Sequence, residues 1–99
     1  MAVRMRRGSG NVFVDLGFPP EEAAHLLIRS DLMITLNQAL EDRGLTQVRA
    51  AKVLGVSQPR VSALRRGKIE QFSIDALVEL LARLGVAVTV QTKKRKRVA

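Results

Sequence analysis

Ninety-nine residues carrying a formal net charge of +8 and no cysteine make one domain's worth of chain and exclude disulfides and thiolate metal sites. No apolar run approaches the ~18 residues of a membrane span. The basic N-terminus is followed by no apolar stretch, so no secretory signal is expected and the cytoplasm is the expected location. Phe13, Phe18 and Phe72 are the only aromatic residues, so the expected core is aliphatic.

The charge is unevenly placed. Residues 1–10 hold three arginines and no acid, and residues 93–99 hold five bases and no acid. Those tails account for the whole excess. Between them, residues 11–42 carry six acids against Arg29 alone, whereas residues 43–68 carry seven bases and no acid. One basic segment beside one acidic segment points to a polyanion on one face and leaves room for a basic partner on another.

In chain order, residues 1–10, with Gly8, Ser9 and Gly10, read as a flexible basic arm. Residues 11–16 (Asn-Val-Phe-Val-Asp-Leu) lean toward a short strand, with Val12, Val14 and Leu16 on one side and Phe13 on the other. Gly17, Phe18, Pro19 and Pro20 break it. Proline in a first turn, followed by Glu21 and Glu22 at the positive end of a helix dipole, predicts a helix from about residue 20 to 43. Leu26, Met33, Leu36 and Leu40 form its stripe, and Gly44 ends it. Thr46 caps a short helix reaching Leu54, and Gly55 makes the turn. Ser57 caps the next helix, with Pro59 in its first turn and Gly67 beyond its end. Ser73 caps a last helix, with Phe72 stapled against Leu77 and a buried face of Leu77, Val78, Leu80, Leu81 and Leu84. Gly85 ends it. Residues 86–92 alternate and are β-branched, so they read as a strand.

The segment from Leu45 to Lys68 joins two short helices by a tight turn. Ala50, Leu54, Val56, Val61 and Leu64 can face a shared core, Ala51 lets the helices cross closely, and Gly55 can take a left-handed backbone. The rest of the second helix is polar, small or basic, which suits a surface laid into a major groove.

Leu45-Thr46-Gln47, Ala51, Gly55-Val56-Ser57-Gln58, Val61-Ser62 and Leu64-Arg65-Arg66-Gly67 resemble the Cro/repressor-type, or XRE-type, helix-turn-helix family. The flanks, Gly10 to Phe18 before a long helix and Phe72-Ser73 before the last one, are most similar to HigA-type antitoxins of type II toxin-antitoxin systems. The resemblance implies a mainly α fold: a four- to five-helix repressor-like helix-turn-helix domain over residues 11–92, with its motif at 46–66, a short N-terminal strand and a C-terminal β-strand. A disordered basic tail (93–99) would follow. It also implies a prokaryotic homodimer that binds a palindromic operator in double-stranded DNA, represses its own operon and neutralises a basic RelE/HigB-like ribonuclease toxin. A stand-alone phage-repressor-type regulator is the alternative.

By position in that family, Gln47 is expected on a phosphate, and Ser57, Gln58, Arg60 and Ser62 at base edges or nearby backbone. Gln suits adenine and Arg suits guanine, while Pro59 can offer only apolar contact. Arg65, Arg66 and Lys68 are expected to grip phosphates. Strand 86–92 is too short to stand alone. It is expected to pair with its copy in a second subunit or with strand 11–16, with Leu77, Leu81, Leu84, Val86, Val88 and Val90 at the dimer interface. Phe13, Phe18, Glu21 and Glu22 are the candidate toxin-binding residues, since their charge complements a basic protein. His25 is the only histidine. No metal site, histidine-based triad, cofactor or enzymatic activity is expected.

Overall fold

The structure, a computed structural model, describes residues 2–5 and 11–94. Its elements are β1 (Ala2–Met5), α1 (Val12–Asp15), α2 (Pro20–Asp42), α3 (Gln47–Leu54), α4 (Gln58–Arg65), α5 (Ile74–Arg83) and β2 (Ala87–Val90). A single 3-10 turn, Ile69–Gln71, lies between α4 and α5.

The long helix forms as its sequence predicts. Proline occupies its first position, Glu21 and Glu22 sit in its first turn, and it runs through Ser30-Asp31 without a break. Leu26, Met33, Leu36 and Leu40 are buried, joined by Ala23, Leu32 and Ala39. This stripe packs on α5 to make the centre of the molecule. The side chains of Leu32, Leu36, Leu40, Leu54, Leu64, Phe72, Leu77, Leu81 and Val61 are wholly buried. Each large aliphatic buried in this way contributes about 1.5–3 kcal/mol relative to exposure. Phe72 and Leu77 lie in this one cluster, as a hydrophobic staple across the Ser73 cap requires.

Residues 11–16, expected as a strand, form helix α1 instead. Asn11 decides this. Its side-chain oxygen accepts the Phe13 N–H at 3.0 Å, and its Nδ2 donates to the Ala23 carbonyl at 3.1 Å. The other end closes on Gly17, whose φ of +95° lets its N–H reach the Val14 carbonyl and the Phe18 N–H reach the Phe13 carbonyl, both at 3.0 Å. Phe13 and Phe18 then meet edge to face, with centroids 6.1 Å apart at 73°. A single helical turn buries no alternating face, so Val12, Val14 and Leu16 are all exposed.

The C-terminal strand forms at Ala87–Val90, shorter than expected. Within the chain its partner is not residues 11–16, which are helical. It pairs in parallel with β1, Ala2 opposite Ala87 through Met5 opposite Val90, within a segment expected to be a flexible arm. The rest of that arm (1 and 6–10) and residues 95–99 of the expected tail lie outside the described residues. Val78, expected on the buried face of α5, is exposed at 36%, because Leu77, Leu80 and Leu81 already fill the contact with α2.

Candidate nucleic-acid interface

Two caps and one glycine set the geometry of α3 and α4. The Thr46 hydroxyl accepts the Arg49 N–H at 3.3 Å, and the Ser57 hydroxyl accepts the Arg60 N–H at 3.2 Å. Gly55 ends α3 in the left-handed conformation, φ 69°, ψ 33°. A side chain there would be strained by that φ, and its Cβ would sit 3.2 Å from an Arg83 guanidinium nitrogen. Arg83 donates to the Leu54 carbonyl from that position and pairs with Glu79 at 2.7 Å. The turn between the two helices is therefore gripped from α5.

The α4 surface follows from helical periodicity, about 100° per residue. Val61 and Leu64 point into the core. Pro59, Ser62 and Arg66 lie on the opposite side. Gln58 and Arg65 fall on the flank toward α3, and Arg60 and Ala63 on the flank toward the 3-10 turn. Ser57, Gln58, Pro59 and Arg66 are exposed, and Ser62 is half-buried.

Gln47 starts α3 and donates from Nε2 to the Gln58 carbonyl at 3.3 Å, so it joins the N-terminal ends of both helices. Those ends carry the positive pole of each helix, a setting that receives phosphate. Gln47 is exposed there.

The seven bases of residues 43–68 divide into two groups. Arg43 donates to the Leu84 carbonyl, Arg60 to the Gln71 carbonyl at 2.8 Å, and Arg65 to the Leu45 carbonyl at 2.8 Å. The Arg60 guanidinium also lies 4.0 Å from the centroid of the Phe72 ring. These three tie helix ends and loops together. Among the described residues, no side-chain hydrogen bond or ion pair holds Arg49, Lys52, Arg66 or Lys68. Arg49 and Lys52 were not singled out from the sequence, although the charge count of the segment contained them. What marks them is the absence of a protein partner, which only the fold displays.

Asn37 braces the far end of α4. Its Nδ2 donates to the Leu64 carbonyl at 2.9 Å, while its Oδ1 is buried without a partner among the described residues. It lines a shallow cleft with Glu41, Gly44, Leu45 and Arg65.

The family model for a helix-turn-helix domain matches residues 12–93 of the chain. This is a helix-turn-helix protein of the XRE type. A solved structure described as a candidate XRE-family transcriptional regulator is 38% identical, with a TM-score of 0.69, covering 79% of this chain and 90% of that one. No curated protein matches the chain. Membership of the family agrees with the mainly α fold and with α3 and α4 as its motif.

The helix-turn-helix protein places the remaining expected residues in two further regions. Phe13 and Phe18 are brought together beside Glu21 and Glu22, which are exposed in the first turn of α2. Val12, Val14 and Leu16 on the same short helix are exposed as well. Leu77, Leu81, Leu84 and Val86, expected at a dimer interface, are buried in the chain's own core. They pack there because α5 must cover α2. Val88 is half-buried against that core, and Val90 is 70% exposed. Among the described residues no cluster of His, Asp or Glu could hold a metal ion, and no helix is long and apolar enough to cross a membrane.

Proposed function

We propose that this protein is a sequence-specific DNA-binding transcription regulator that reads double-stranded DNA with the outer face of α4. The observation that carries this is the pairing of an exposed, acid-free α4 surface with cations on α3 and just past the end of α4 that no described residue pairs. Gln58, Ser62 and Pro59 supply donors, acceptors and an apolar contact for base edges. Ser57 and Gln47 lie at the helix N-termini, where phosphates dock, and Arg49, Lys52, Arg66 and Lys68 supply counter-charge. One eight-residue helix reads only a few base pairs. We therefore read the functional unit as a homodimer on a palindromic operator, with Val88, Val90 and Val78 as the apolar residues available to its interface. The test is selection from a randomised duplex library. Enrichment of an inverted repeat, with affinity falling steeply as salt rises, supports the reading, and absence of any enriched sequence overturns it.

A finer reading is favoured by one further observation. The Phe13–Phe18 surface is apolar, acid-edged and remote in sequence from α4, as a site for a basic protein would be. On this reading the chain is an antitoxin that represses its own operon and neutralises a RelE/HigB-like ribonuclease. Co-purification with a small basic protein encoded beside it supports this. A gene without such a neighbour leaves the stand-alone regulator as the answer.

A further inference from the structure

We propose that Arg60 is a positioning residue that latches the reading end of α4 to the loop before α5, and that it does not itself read a base. The proposal rests on the DNA-binding reading of α4 and deepens it.

The argument begins with how little holds this helix. α4 has eight residues, and its buried side chains, Val61 and Leu64, are its fourth and seventh, so its first three residues have no buried side chain. Ser57, Gln58 and Pro59, which lead that first turn, are exposed. Packing therefore anchors the far end of α4 and leaves the end that meets DNA to polar contacts. Two such contacts flank it. On the α3 side, Gln47 donates to the Gln58 carbonyl at 3.3 Å. On the other side, Arg60 donates to the Gln71 carbonyl at 2.8 Å and lies over the Phe72 ring at 4.0 Å.

The second contact is the stronger by chemistry. A guanidinium makes a charge-assisted hydrogen bond and stacks on an aromatic face through one planar group. Its receiver is rigid. Phe72 is 1% exposed and part of the central cluster, and the Gln71 carbonyl ends the 3-10 turn. The latch therefore connects the exposed turn of α4 to the buried core. To reach a base edge, Arg60 would have to give up both contacts and free the turn that carries Gln58 and Pro59. Among the described residues no carboxylate pairs with it, so no competing anchor draws it elsewhere.

The experiment takes the duplex that the full-length wild-type chain enriches, together with its single-base-pair variants. Affinities are measured for wild type, Arg60→Ala, Arg60→Lys, Phe72→Leu and the double variant Arg60→Ala/Phe72→Leu, each checked as folded by circular dichroism. The latch predicts that Arg60→Ala loses about tenfold in affinity on every duplex, with the base-preference profile unchanged. The slope of affinity against salt also stays unchanged, because no phosphate contact is lost. Arg60→Lys keeps a cation over the ring and recovers part of the loss. Phe72→Leu reproduces the loss, and the double variant is no worse than the weaker single one. Loss of discrimination at one base pair in Arg60→Ala overturns the latch and makes Arg60 a base reader. A salt slope lowered by about 1 overturns it in favour of phosphate contact. Undiminished affinity overturns it outright. If Phe72→Leu does not fold, the Arg60→Ala profile and the Arg60→Lys recovery decide alone. A wild-type chain that enriches no sequence removes the DNA reading and the latch together, which separates that failure from the others.

Discussion

Residues 11–42 and residues 43–68 obey the same local rules and present opposite surfaces. α1 and α3 each begin on a side-chain cap, Asn11 or Thr46, and each closes on a glycine with positive φ, Gly17 or Gly55. Yet the first region carries six acids against one base and leaves Val12, Val14, Leu16 and Phe18 exposed, while the second carries seven bases and no acid. The difference lies in what each helix packs against. Among the described residues α1 packs chiefly against α2, and most of its apolar residues remain in water. The motif helices are roofed by α2 and α5, so most of their apolar residues are covered, with Val48 and Val53 on α3 left exposed among the polar ones. An exposed apolar surface on a small chain signals an interaction. An exposed basic one signals a polyanion.

The sharpest way to break this comparison is to truncate one leucine in each region. Leu64→Ala removes a wholly buried side chain and should cost about 2–5 kcal/mol in denaturant unfolding. Leu16→Ala, at a residue 68% exposed, should change stability by no more than about 0.5 kcal/mol. A large loss at Leu16 would mean that α1 is part of the core.

The next effects separate sequence reading from charge within the basic region. Gln58→Ala should cost about 1–3 kcal/mol on the preferred duplex and relax preference at one position. Arg66→Ala should weaken all duplexes alike and lower the salt slope by about 1. Exchange of those two signatures would show that the outer face of α4 is oriented differently on DNA.

In the acidic region, reversing Glu21 and Glu22 to lysine should leave DNA affinity within about twofold. It should lose only about 0.3–1 kcal/mol of stability per residue, from the helix dipole. If the α1 surface receives a basic protein, the same variant abolishes that binding, measured by co-purification with the neighbouring gene product. Intact binding would remove the charge argument for this face.

The smallest effect concerns Asp31. Partial burial raises its carboxyl above its ordinary value of 3.8. The folded state therefore holds this proton more tightly than the unfolded state. Its contribution to stability is greatest below the unfolded value and declines as pH rises through the folded one. Asp31→Asn should melt slightly above wild type at neutral pH, and the two should converge near about pH 3, where both states are protonated. A variant that melts lower at neutral pH would show that the carboxylate has a favourable partner.

Much of the motif was legible because its signals are local. Thr46, Ser57 and Ser73 each accept the N–H three residues on, and Gly44, Gly55, Gly67 and Gly85 stand just past the helix ends. The strand expected at 11–16 failed for a reason of the same kind read too weakly. Alternation of Val12, Val14 and Leu16 argues for a strand only if a sheet covers one side. Here the two-stranded sheet pairs β2 with β1 and takes no third strand among the described residues, while Asn11 and Gly17 close a helical turn.

The sequence by itself determined the helices, their ends and the polarity of the two regions, because caps, glycine conformation and charge depend on a residue and its near neighbours. Tertiary structure alone decided which cations remain free. Arg43, Arg60 and Arg65 reach carbonyls 41, 11 and 20 residues away, whereas Arg49, Lys52, Arg66 and Lys68 reach none among the described residues. A basic residue reads the same in a sequence whether it grips a distant carbonyl or faces solvent. The difference is made by which helix end the fold brings within a side chain's length.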